Sequence, residues 1–349
     1  MKRGFLIVGF WVFCLHLSAY QCDSLLVQKL DNYYRLYQDD SLRKYSTVAL
    51  SQVSESSICH YHYTFYLINS YLYNDLEKAK ELSFSLKRSK EPKKEVLRLA
   101  ALQSIYNRQN EHRKRLAVLK TGESVAASME DSSFKSRWHY FFLKSLAKTY
   151  ARLAVYDSAV SYALRFTASP RTSLKLDGYL TLSSIYTDFG DQKSAFDELK
   201  KGLLIVDQNE LQDEPRLVCN LYNNIGAAYI YAYKYDSALI YLEKSLMLAK
   251  KLEDAKMTYA RIINIGLVNM ELGAFEEARR NYMEGLEIIQ QTEGEAKAYK
   301  LHVLYENLAE LEVKLNNFPL ALVHADKSLS FAQEANRKEL EIDAYALLA

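Results

Sequence analysis

The chain has 349 residues, with 45 Lys and Arg against 43 Asp and Glu, and 28 Tyr beside only 11 Gly and 4 Pro. So few helix breakers over this length argue against a β-rich fold and for a nearly all-helical chain. The net charge of +2 gives no general case for binding nucleic acid or a membrane surface, and no nucleic-acid partner is expected of this segment.

Residues 1–19 open on Lys2 and Arg3 and continue as an apolar run over residues 4–17. That run is shorter than the roughly 20 residues of a membrane span, and it has the shape of a secretory signal peptide. Cleavage is expected after Ala19, with Gln21 as the alternative site and an uncleaved anchor as the competing reading. Cys22 follows Ser18, Ala19, Tyr20 and Gln21, which do not form the small-residue lipobox of a lipoprotein. Lipid attachment and a bridge to Cys59 both stay open for Cys22. With Cys14 in the leader, Cys22, Cys59 and Cys219 are too few for a disulfide framework. Cys219 is expected to be a small buried hydrophobe in a repeat helix.

Residues 20–58 are expected to form N-terminal capping helices, with Leu25, Leu26, Leu30, Tyr34 and Tyr37 at helical spacing. Within Cys59-His60-Tyr61-His62 the two histidines lie on different sides of a helix and cannot chelate one ion from it. No second Cys/His cluster completes a four-ligand set, so no metal site is expected. Residues 59–139 read as degenerate helix pairs. Tyr71 and Ala79 mark the first, and Leu102 and Tyr106 the second, where Arg115 stands near the place at which Ala is expected. Glu91-Pro92 breaks the helix between them.

Residues 140–349 carry five clear units and the start of another helix. Each unit has an apolar stripe on a first helix, a tight turn and a small residue opening a second helix. Those small residues are Ala159, Ala195, Ala238, Ala278 and Ala321, spaced 36 to 43 residues apart. The first helices carry a small residue before a further stripe position: Ala147 before Tyr150, Ser183 before Tyr186, Gly226 before Tyr229, Gly266 and Ala309. Small residues let two antiparallel helices approach closely, one yielding volume to the other's knob. A single pair cannot bury its apolar face, so it needs stacked neighbours.

This pattern resembles the tetratricopeptide repeat, well over residues 140–349 and loosely before them. It departs from the family in having Tyr179, Tyr222, Ile262 and Tyr305 where an early Trp is favoured, and in lacking the proline that often ends the unit. The resemblance implies an all-α, right-handed solenoid of antiparallel helix pairs, with the first helix of each pair lining the concave surface. It also implies a protein or peptide ligand in that groove.

Charge is uneven along the chain: residues 85–145 are net positive by about eight and residues 174–349 net negative by about nine. In the implied register, Lys144, Lys148 and Arg152 form a basic stripe. Asn223, Ala227, Ile230 and Tyr231 follow as an amide and aromatic stretch, and Glu271, Glu306 and Glu310 make an acidic end. Such a surface suits an extended peptide or helix of opposite polarity, the competing reading being a solvated convex face.

No Gly-rich phosphate loop, Gly-x-Ser-x-Gly, His-Glu-x-x-His or Cys-x-x-Cys occurs, and His112, His139, His302 and His324 are scattered. No catalytic residue, cofactor or metal is expected. Residues 341–349 read as a further first helix that stops in mid-turn, so the segment is expected to be a fragment. Exported chains with such repeats resemble the periplasmic sensor part of bacterial membrane-anchored transcription regulators and histidine kinases. Membrane contact would then come only from a transmembrane helix downstream. The alternatives are a free-standing exported scaffold for an envelope complex, and a cytoplasmic peptide-pheromone receptor, which should lack the leader.

Overall fold

The computed structural model describes residues 22–35, 39–72, 74–207, 211, 214–291, 296–335 and 342. The leader expected over residues 1–19 and the closing stretch 341–349, apart from Ile342, lie outside them. The chain divides into two compact units, residues 1–166 and 167–349.

The first unit holds α1 (Ser24–Arg35), α2 (Asp39–Leu50), α3 (Ile58–Tyr71), α4 (Leu76–Ser85), α5 (Pro92–Arg108), α6 (His112–Ala127), α7 (Ser132–Arg152) and α8 (Tyr156–Thr167). The second holds α9 (Thr172–Asp188), α10 (Gln192–Asp207), α11 (Pro215–Tyr231), α12 (Tyr235–Lys251), α13 (Ala255–Glu271), α14 (Phe275–Gln290), α15 (Ala296–Lys314) and α16 (Phe318–Glu334). Consecutive helices pack as antiparallel pairs, and the pairs stack as in a solenoid within each unit.

Local chemistry sets the helix ends. Ser57, Asp75, Asp131 and Asp254 cap α3, α4, α7 and α13 by accepting backbone N–H groups of the first turn. Pro92 and Pro215 start α5 and α11, where their missing N–H groups would have had no helical partner. From α5 onward each first helix ends on one residue of positive φ: Asn110, Ala154, Gly190, Tyr233, Gly273 and Asn316. The next N–H reaches back five residues along the turn, as Asp191 N to Tyr186 O at 2.8 Å and Lys234 N to Tyr229 O at 2.9 Å.

The first helices are buried on two sides and the second on one. α13 buries ten residues, whereas α14 buries only Ala278, Tyr282, Gly285 and Ile289 on a single stripe. The first helices also touch one another, α9 with α11, α11 with α13 and α13 with α15. They form one continuous row within the second unit.

The small residues act as the spacing predicts. A Cβ at Gly226 would stand 2.6 Å from Leu242 Cγ, so the Leu242 side chain fills the space that the glycine leaves. At Gly266 a Cβ would meet the Tyr282 ring at 2.5 Å, and that ring is completely buried. Gly266→Ala is therefore expected to destabilise the second unit by about 1–3 kcal/mol in urea denaturation. This loss outweighs the ~1 kcal/mol that alanine normally adds to a helix. A gain in stability would show that the close packing is not what holds the glycine there.

In the first unit Cys22 and Cys59 form a disulfide, with Cα atoms 5.2 Å apart. The bond occupies the Cys22 sulfur that a lipid anchor would need, so the structure favours the bridge. Cys219 is free and buried, and its thiol lies 3.2 Å from the Ser245 carbonyl oxygen. His62 is buried in α3 and stacks on Tyr66. Among the described residues no group of three or more His, Cys, Asp or Glu is placed to hold a metal ion. No described helix is long and apolar enough to cross a membrane.

Candidate functional site

α9 and α11 border two adjoining cavities, and local structure fixes their walls. Gly190, with φ of 82°, turns the chain out of α9. Asp191 then caps α10, its carboxylate accepting the Ser194 N–H at 3.0 Å. The Ser194 hydroxyl and that N–H hold the Asp191 carboxyl below the usual carboxylate range. At the far end of α11 the turn through Tyr233 starts α12.

The first cavity, about 150 Å³, is lined from α9 by Ser183, Ser184, Thr187 and Asp188. Gln192 and Leu199 of α10 and Asn224, Ala227, Ala228 and Tyr231 of α11 complete it. The second, about 280 Å³, is lined by Gln192, Lys193, Phe196, Ala228, Tyr229, Tyr231, Ala232 and Lys234. The two share Gln192, Ala228 and Tyr231. Tyr231 is 61% exposed at this shared wall. The floor is aromatic: Phe196 meets Tyr229 edge-on at 5.2 Å, and Tyr229 stacks on Tyr241 at 5.7 Å. Hydroxyl and amide groups thus stand beside an apolar hollow, with Lys193 and Lys234 on one side and Asp188 on the other.

Of the residues singled out in the sequence, Ala227 and Tyr231 line this cavity. Asn223 lies beside it, accepting a hydrogen bond from Asn264 Nδ2 at 3.1 Å and donating to Asn224 Oδ1 at 3.3 Å. Ile230 packs against the cluster of Ala238, Leu242, Ile265 and Val268. Glu271 closes α13, 3.2 Å from Lys314 Nζ and 3.5 Å from the Tyr235 hydroxyl. Burial first, and Glu271 next, raise the Tyr235 pKa. Glu306 lies 3.9 Å from His302 Nε2, and Glu310 is half-buried on the same helix. Lys144, Lys148 and Arg152 belong to the first unit. Lys144 is half-buried, Lys148 and Arg152 are exposed, and Arg152 Nη1 donates to Asn107 Oδ1 at 2.7 Å.

Sequence reasoning missed Ser183, Ser184, Thr187, Asp188 and Gln192. The repeat register already contained the signal. Counting from the small residue of each first helix, Ser184 and Asp188 occupy the slots of Ala227 and Tyr231 one unit earlier. It also missed Glu312, which is fully buried between Arg279 and Asn317.

A family model for the SusR N-terminal TPR domain matches residues 189–312, which include α10 and α11. A curated relative, outer dynein arm-docking complex subunit 4 of Danio rerio, is 27% identical over 168 residues, 48% of this chain and 33% of that protein. The match therefore spans about a third of that relative's length. Among solved structures, Cut9–Hcn1 of the APC/C has TM-score 0.60 at 16% identity over 94% of this chain and 56% of that one. The apo quorum sensor NprR from B. thuringiensis has TM-score 0.55 at 17% identity, over 92% of this chain and 96% of that one. A Rap protein complexed with Competence and Sporulation Factor has TM-score 0.56 at 12% identity, over 93% and 95%. At these identities the structural likeness is one of fold.

Proposed function

The chain is a tetratricopeptide-repeat protein, and from that premise we propose that its α9–α11 face binds an extended peptide segment of a protein partner. One observation carries the reading: matching slots of two successive first helices, Ser184 and Asp188 with Ala227 and Tyr231, open onto one cavity. The small side chains of Ser184 and Ala227 leave room for a peptide backbone. Ser183, Thr187 and Asn224 offer hydrogen-bond partners, and Phe196, Tyr229 and Tyr231 offer a flat apolar wall for one anchoring side chain. The Rap neighbour, complexed with a factor, lends the same use of the fold some support.

The wider setting of this reading is an exported sensor segment of a membrane-anchored regulator, facing the periplasm. Three observations favour it: the match to the SusR N-terminal domain, the leader-like residues 1–19, and a disulfide suited to an oxidising compartment. An exported scaffold is the second reading, favoured by the partial match to a docking-complex subunit. No catalytic role is assigned to either cavity.

The test uses the purified chain and a fluorescent 12-residue peptide selected from a random display library. Ala227→Trp fills the cavity and is expected to weaken binding at least about tenfold, the equivalent of ~1.4 kcal/mol. Ile240→Ala, on an exposed part of α12, is expected to leave binding unchanged. Equal affinity for A227W and wild type would place the peptide elsewhere.

A further inference from the structure

In the clear repeats two small residues face each other twelve positions apart: Ala147 and Ala159, Gly226 and Ala238, Gly266 and Ala278, Ala309 and Ala321. In α5 and α6 the same slots hold Gln103 and Arg115. Both are buried, at 5% and 6% exposure. Arg115 Nε donates to Gln103 Oε1 at 3.2 Å, while its Nη1 is buried without a hydrogen-bond partner. Among the described residues no carboxylate pairs with this guanidinium. Glu111, four residues before it, pairs instead with Lys114 at 2.9 Å.

The other charged group acting on Arg115 is a cation. Arg152, at the end of α7, is fixed over Asn107. His112 precedes Arg115 by about one turn, and its Nδ1 is also buried without a partner. Burial, and then Arg152, pull the Arg115 pKa down to about 10. Burial, Arg152 and Arg115 lower that of His112. Arg261, the other buried arginine among the described residues, is satisfied by Asn220 at 2.7 Å and Ser245 at 3.1 Å. A buried guanidinium left beside a like charge is costly, and a bound anion is the group that relieves it. Lys148 and Lys144 continue the positive strip along α7, one turn apart.

We propose that Arg115, Arg152 and His112 form an oxyanion-binding site between the α5–α6 turn and the end of α7, accepting a carboxylate or a phosphate group. The guanidinium fork matches either anion with paired N–H donors. An anion there takes the hydrogen bond that Nη1 lacks and offsets the repulsion between Arg115 and Arg152. The site lies within the first unit and stands apart from the peptide reading of α9–α11, so either can fail without the other.

Thermal unfolding of the full chain, read in the first unit, is measured against inorganic phosphate, sodium acetate, and sodium chloride at matched ionic strength. A saturable rise in midpoint with phosphate or acetate, beyond that of chloride, is expected. The stronger of the two identifies the group as phosphate or carboxylate. Arg115→Ala installs the residue that other repeats hold in this slot, so it is expected to fold and to bind the anion at least about tenfold more weakly. Arg152→Gln, a surface change, is expected to weaken binding in the same direction. An effect no greater than chloride's, or the same anion midpoint in R115A and R152Q as in wild type, overturns the site.

Discussion

Reduction of the Cys22–Cys59 bond is expected to lower the stability of the first unit by about 3–4 kcal/mol and leave the second unit unchanged. The bond closes a segment of 37 residues that contains α1 and α2 and ends in the first turn of α3. Loop-closure entropy for a segment of that length gives a contribution of this size. α1 and α2 need it: α1 buries only Leu30 fully among its described apolar residues, and Leu25 is exposed. Trp138 is buried in α7 and belongs to the first unit, so its fluorescence reports that unit alone. Denaturation followed at Trp138, with and without reductant, measures the effect, and the C22A/C59A double variant should reproduce the reduced curve. An unchanged midpoint would mean that α1 and α2 hold without the tether.

The second large effect is acid sensitivity at His62. This histidine is 7% exposed, stacks on Tyr66 with centroids 5.4 Å apart, and lies beside Trp138. Burial drives its pKa from about 6.5 down to about 3, with Arg137 adding to the fall and Asp31 opposing it. The folded protein therefore keeps His62 neutral. Above pH 6.5 neither state binds the proton, and the full stability is present. Below it the unfolded chain takes up a proton that the folded chain refuses. Stability then falls by about 1.4 kcal/mol per pH unit until about pH 3. At pH 5 the first unit should have lost about 2 kcal/mol from this group. His62→Phe removes the titration and the unpartnered Nε2 while keeping a flat ring. His60, His112 and His139 are also shifted down by burial, so the difference between wild type and H62F isolates His62. A difference that is the same at pH 7.5 and pH 5 would show that His62 is protonated in the fold.

The repeats from α7 onward were legible because their contacts are local and periodic. The small pair twelve residues apart, as at Gly226 and Ala238, leaves the same mark in each unit. Earlier pairs were harder to read because Gln103 and Arg115 erase that mark while the helices persist. The cavity was half legible: Ala227 and Tyr231 came from the register, but Ser184 and Asp188 look like ordinary helix-surface residues until two first helices are set side by side. Ile230 shares the outward stretch of sequence yet packs inward, since a one-residue step rotates a side chain by about 100° around the helix. The Cys22–Cys59 pairing could not be read from spacing, because it depends on how α1 and α2 bring the chain back to α3. For His62 the sequence showed only that it could not share a metal with His60, and its burial depends on Trp138, which α7 brings from far along the chain.

The most direct test of the peptide-binding account is hydrogen exchange of the full chain with and without the selected peptide. The account predicts slower exchange at the exposed ends of α9 and α11, around Ser184, Asp188, Ala227 and Tyr231, with α12 and α14 unchanged. Protection confined to α12 and α14 would contradict it and place the partner on the second helices instead.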